Sequence, residues 1–260
     1  MTGILTAIWA ENLKVRKSKM LWLSIIAALF MAAMMGFLMF IAKNPELAGK
    51  MGLLGTKSSI MQNADWPAYI GLLAQVISAL GLIGFGFLAS WIFGREYSDR
   101  TVKDLLALPL PRSYIVISKF IVMAVWGMLL SLILLTAALV IGWLVGLTGG
   151  SNDIIINGVY AFIITALMTL LLTSPVAFFA SYGRGYLPPM GFVILTLLMG
   201  QFSVAVGLEP YVPWAIPGSY SVAVITGGAQ LGAISYIILV LTCLIGLATT
   251  LAWWRYADQH

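Results

Sequence analysis

The chain has 260 residues, 61% of them hydrophobic and 9% charged, with a net charge of +5. Soluble domains carry roughly 25% charged residues, so this composition excludes one and puts the chain in a membrane. A single cysteine, Cys243, and a single histidine, His260, exclude an internal disulfide, a cysteine-based metal site and histidine-based catalysis. No shift in composition marks a second domain, so residues 1–260 read as one transmembrane domain. The basic cluster Lys14, Arg16, Lys17 and Lys19 precedes an apolar run too long for a signal-peptide core. Before it, Leu5, Ile8, Trp9 and Leu13 share a helical face opposite Thr6, Glu11 and Lys14, which predicts an interfacial helix within residues 1–19.

Six runs are long enough to cross a hydrocarbon core about 30 Å thick: Met20–Ala42, Pro67–Phe93, Tyr114–Leu147, Gly158–Ala180, Leu187–Gly207 and Leu231–Trp254. The predicted fold is therefore an all-α polytopic membrane protein. The third run is over-long and either tilts or projects, and Pro175 predicts a kink in the fourth. Trp22, Trp66, Trp91, Trp143, Trp253 and Trp254 fall near run ends, as an aromatic belt requires, whereas Trp126 is expected to pack internally. With both termini in the cytoplasm, eleven of the fourteen Lys and Arg residues lie inside, and only Lys43, Lys50 and Lys57 lie outside. That is a clear positive-inside bias. The outer loop 43–65 contains GLLGTKSS, but Thr56 stands between Gly55 and Lys57, so it fails as a phosphate-binding loop. Residues 208–230, broken by Pro210, Pro213 and Pro217, predict an outer hairpin that is either re-entrant or interfacial.

Between the second and third runs, Gly94–Lys119 concentrates charges of both signs. Read as a helix from about Ser98, it puts Val102, Leu105 and Leu106 on one face and Arg100, Lys103 and Asp104 on the other. Thr101 with Asp104 approximates a capping box. Leu108 before Pro109, and then Pro111, end the helix, and Ser113 is placed to cap a new one from Tyr114. The rest of the chain is nearly charge-free, so a soluble partner would dock here. Lys119, one turn into the third run, is expected to snorkel to water as an interfacial anchor.

No acidic residue falls within a run, which speaks against proton or sodium coupling. No Ser or Lys in a run has an obvious catalytic partner, which weighs against a membrane enzyme, the second class of function considered. Gln75 and Ser78 in the second run, with Gln201 and Ser203 in the fifth, could line a weakly polar path. The plainer reading of each one is helix–helix hydrogen bonding.

The spacing of Glu96, Thr101, Leu105, Leu106, Pro109, Arg112 and Lys119 resembles the cytoplasmic loop before the third span of type-2 ABC-transporter permeases. The span pattern matches along the whole chain. The amino-terminal ENLKVRKSKMLWLS resembles most the bacitracin- and lantibiotic-exporting branch. The resemblance implies a permease whose loop 94–113 is a coupling element, with Glu96, Asp99, Arg100, Thr101, Lys103, Asp104 and Arg112 engaging a separate cytoplasmic ATPase subunit. It implies no cofactor in this chain, ATP and Mg on that partner, and a second permease subunit in a homo- or heterodimer. No nucleic acid is expected, and the basic residues are left to orientation in the lipid bilayer. The implied cargo is an amphipathic antimicrobial peptide, with lipid or another hydrophobic molecule as the alternative.

Overall fold

A computed structural model describes residues 3–44, 64–107, 109–228 and 230–257, leaving out the side chain of Leu106. The GLLGTKSS stretch, Lys50, Lys57, Leu108 and His260 lie outside the described residues. The chain is helical, with no strand among the described residues. In order come α1 (Gly3–Arg16), α2 (Lys19–Lys43), α3 (Trp66–Ser98), α4 (Val102–Leu106) and α5 (Arg112–Val145). They are followed by α6 (Asn152–Leu171), α7 (Ser174–Tyr182), α8 (Leu187–Ala205), a 3-10 turn (Pro213–Ala215), α9 (Ile216–Thr226) and α10 (Ala233–Tyr256). Among the described residues, six segments are long and apolar enough to cross a membrane: α2, α3, α5, α6 with α7, α8 and α10. Helix is the form such apolar runs must take, because hydrocarbon offers no partner for a backbone N–H or C=O.

Side-chain caps set several helix starts. The Ser18, Asp65 and Ser151 oxygens accept from the backbone N–H groups of Met20, Ala68 and Ile154. The expected cap at Ser113 does not form. Helix α5 begins at Arg112 directly after Pro111, whose backbone is at φ −56° and which offers no side-chain cap. Pro111 is the N-cap itself, extended at ψ 132°, so the helix has already begun before Ser113 and leaves it no capping position. Nor does Thr101 cap α4 through its side chain. The fourth span breaks after Leu171 and resumes at Ser174, where Pro175 occupies the first turn and its missing N–H leaves nothing unsatisfied.

The molecule has two ends. At the near end, which carries α1, α4 and the close of α10, Ile92, Phe93, Val116, Val176 and Trp254 form one buried cluster. At the far end, Tyr69, Ile70, Leu73, Phe162 and Leu170 form another. Helix α6 packs on α3, α2 on α5, and α10 on α7. The last contact requires Gly246, since an added Cβ there would lie 2.5 Å from the Pro175 nitrogen. Lys43 closes the far end of α5 by donating to the Val145 and Gly146 carbonyls at 3.0 and 2.7 Å, a favourable place for a cation. Helix α9 packs on α3 and α6. Its 11 residues reach only about 16 Å, half of a hydrocarbon core.

Candidate functional site

The near end holds a four-residue charge cluster whose members come from three helices. On α1, the residues turned inward are Ala7, Glu11 and Val15, while Leu5 and Trp9 point outward, Trp9 with 61% of its surface exposed. The expectation that Glu11 and Lys14 would face water is thereby corrected for Glu11. A helix can bury its acid against the protein only if a cation waits there. That cation is Lys119.

Lys119 is fully buried, at 0% exposure, which corrects its assignment as a snorkelling anchor. Its ammonium donates to Glu96 Oε1 at 2.6 Å, to Glu11 Oε2 at 3.1 Å and to the Ile92 carbonyl at 2.9 Å. All three of its protons are thus engaged. Lys14 adds a second cation, donating to Glu11 Oε1 at 2.6 Å and Glu96 Oε1 at 3.0 Å. Two acids and two bases balance, which is the condition under which buried charges are tolerated. Burial acts to lower the Lys14 pKa, but the Glu96 and Glu11 carboxylates outweigh it and hold the group above the ordinary lysine value. Because this shift is upward, the Lys14 contribution is complete below about 10.4 and is lost only as pH rises through the higher folded-state value.

The cluster is tied to the segment after α3 by a single residue. Glu96 lies inside α3, which runs five residues beyond the predicted Phe93, and only 3% of it is exposed. Its carboxylate points into the cluster, and its carbonyl accepts from the Thr101 N–H at 2.9 Å. Thr101 in turn accepts from the Leu105 N–H at 3.1 Å, so the first turn of α4 hangs from Glu96. Arg100, at φ +58°, makes the reversal between the helices. Val102 is buried and Leu105 packs against the near-end cluster, while Arg100, Lys103 and Asp104 are exposed. Asp99 is exposed and pairs with Arg95 at 3.1 Å, a contact worth little in stability. Arg112 sits apart from that face and donates to the Trp254 carbonyl at 3.2 Å, joining the start of α5 to α10. Trp126, expected simply to pack, also donates to Asn12 Oδ1 at 3.0 Å and holds α1 on α5.

At the far end, α3, α8, the 3-10 turn and α9 enclose a cleft of about 800 Å³. Gln75, Ser78 and Gln201 line it. Ser203 does not. It is buried, and its hydroxyl donates to the Gly200 carbonyl at 2.7 Å. Trp214 and Glu209 also line the cleft, Glu209 without any signal in the sequence that marked it. Among the described residues, no group of three or more His, Cys, Asp and Glu side chains comes together.

A family model described as "ABC-2 family transporter protein" matches residues 7–200. The bacitracin transport permease protein BCRB of Bacillus licheniformis is 27% identical over 189 residues, covering 71% of this chain and 88% of that relative. The matched region takes in the charge cluster, α4 and most of α8, and it ends before α9.

Proposed function

The chain belongs to the ABC-2 family of transporter proteins, and from that membership we propose an ATP-driven exporter in which the near-end cluster passes motion from a separate ATPase into the spans. The chain itself is a multi-pass membrane permease subunit, a transport component and not a catalytic one. In this reading ATP and Mg reside on the cytoplasmic ATPase subunit, and a second permease subunit completes the pathway. The observation that carries the reading is the double attachment of Glu96. Its side chain holds Lys119 and Lys14, and its backbone holds α4.

The ATPase docks on the exposed face formed by Arg100, Lys103 and Asp104. Closure of the ATPase dimer pushes α4, whose buried Val102 and Leu105 keep it seated on the near-end core. The displacement reaches Glu96 and, through the ion pairs, the near ends of α1 and α5. Lys119, with all three protons engaged and no exposure, binds the cluster into a unit, since separating it from the acids strands a buried charge. The far cleft is the cargo end of the path, lined by Gln75, Ser78 and Gln201, with α9 as its re-entrant cap. Both termini lie in the cytoplasm and α1 lies in the membrane interface, where Leu5 and Trp9 meet lipid.

The cargo in this reading is an amphipathic antimicrobial peptide, supported by the bacitracin transport function in the printed name of the relative. Deleting the chain should sensitise its host several-fold to bacitracin or a lantibiotic in a growth-inhibition assay. Unchanged sensitivity across both groups would favour export of lipid or another hydrophobic cargo. Orientation is checked separately. In a Cys243→Ala background, a single cysteine at Ser219 should react with an impermeant thiol reagent on intact cells, and one at Lys103 should not. Labelling at position 103 would reverse the orientation and remove the ATPase docking face.

A further inference from the structure

The far-end cleft carries one charge. Among its described lining residues Glu209 is the sole acid, and none is Lys or Arg. Its Oε2 is shielded from solvent and has no hydrogen-bond partner among the described residues. A shielded carboxylate oxygen without a donor is costly, and a cationic ligand would offset that cost. The backbone that bears Glu209 is held in place. The buried Ser235 hydroxyl donates to the Pro210 carbonyl at 2.8 Å, and the Tyr211 N–H donates to the Leu208 carbonyl at 3.1 Å, pinning the turn that bears Glu209.

The other walls suit the remainder of such a ligand. Trp214 packs edge-on against Phe192 with ring centroids 5.8 Å apart, and its indole N–H is shielded and has no acceptor among the described residues. The shielded N–H faces away from the open space of the cleft, so Trp214 contributes its ring surface to the wall. Gln75 and Gln201 supply amides that can donate or accept. A cavity of this size, mostly apolar with a few fixed polar groups, has the form of a small-molecule or peptide-segment site.

We propose that this cleft binds amphipathic cations, the Glu209 carboxylate receiving an ammonium or guanidinium group while the apolar walls take the adjoining hydrocarbon. The proposal rests on the reading of the chain as an exporter of amphipathic cargo, and it narrows that cargo to positively charged molecules or segments. Glu209 is then a specificity residue, and recognition comes from a charge placed on the wall of a largely apolar cleft.

The test uses full-length protein in nanodiscs of zwitterionic lipid. Two dansyl-labelled amphipathic peptides serve as probes, one with three lysines and one with glutamine in their place. Wild-type protein should bind the lysine probe more tightly. Glu209→Gln should weaken that probe roughly tenfold, equivalent to about 1.4 kcal/mol, and leave the glutamine probe unchanged. Glu209→Asp, which keeps the charge, should recover most of the difference. Equal affinities of wild type for the two probes would overturn the proposal. So would a Glu209→Gln variant that matches wild type, or one that loses both probes equally. In cells the two levels separate. If deletion sensitises the host to a cationic lantibiotic and Glu209→Gln does not, the exporter reading stands and the cleft assignment falls. If deletion changes nothing, the exporter reading falls, and the probe ratio still decides the cleft.

Discussion

Lys119→Met is expected to cut the yield of folded, monodisperse protein sharply, through a loss of about 3–5 kcal/mol. Methionine fills a similar volume, so the loss is electrostatic. It leaves Glu11 and Glu96 to share Lys14, whose side chain keeps 34% of its exposure and which makes one contact to each acid. The second variant separates stability from function. In Lys119→Met with Glu96→Gln, the surviving Lys14–Glu11 pair is balanced, so yield should largely recover. Transport should stay low, because the tie between α3 and α5 is gone. Gel filtration in detergent and a transport assay on the same preparations read both effects. Full transport by the double variant would reduce the cluster to a stabilising contact. Normal folding of Lys119→Met would contradict its burial among the carboxylates.

The second large effect is expected on α4. Exchanging the charges, with Arg100→Asp and Asp104→Arg together, preserves net charge and leaves both positions exposed. Aspartate tolerates the left-handed backbone at position 100 better than most residues, so the exchange adds little strain. Folding should be unaffected. ATPase recovered by pull-down at moderate salt should fall steeply, since inverting charges in a docked interface costs about 2–5 kcal/mol. Leu105→Asp should behave in the opposite way and lower folded yield first, because it puts an unbalanced charge against the near-end core. A charge-exchanged variant with normal pull-down and normal transport would leave α4 as a solvated connector.

The spans were legible because their signal is additive: twenty apolar residues in a row have few alternatives. Pro175 marked the break in the fourth span for an equally local reason. The charge cluster was not legible, because its logic is long-range. Lys119 and Glu11 are 108 positions apart, and each has a bland local explanation. A lysine one turn into a span looks like an anchor, and a glutamate opposite Leu5 and Trp9 looks solvated. Only packing α1 against α5 turns two unremarkable charges into partners. Glu96 was found through motif spacing, but its inward aim was hidden by ending the second span at Phe93. The far cleft was half legible. Gln75, Ser78 and Gln201 stood out as polar residues in apolar runs, whereas Glu209 lay in a loop where acids are ordinary. Ser203 was misplaced because a serine can satisfy itself on its own helix, as it does with Gly200.

The central claim is that this permease works with a separate ATPase, and native mass spectrometry of the tagged full-length chain, extracted from its host's membranes in a mild detergent, tests it most directly. The expected result is a complex containing an ABC ATPase subunit together with permease, which hydrolyses ATP and whose ATPase content drops when Arg100 and Asp104 are exchanged. Recovery of the chain alone, or only with copies of itself, under conditions where its folding is intact would contradict the account.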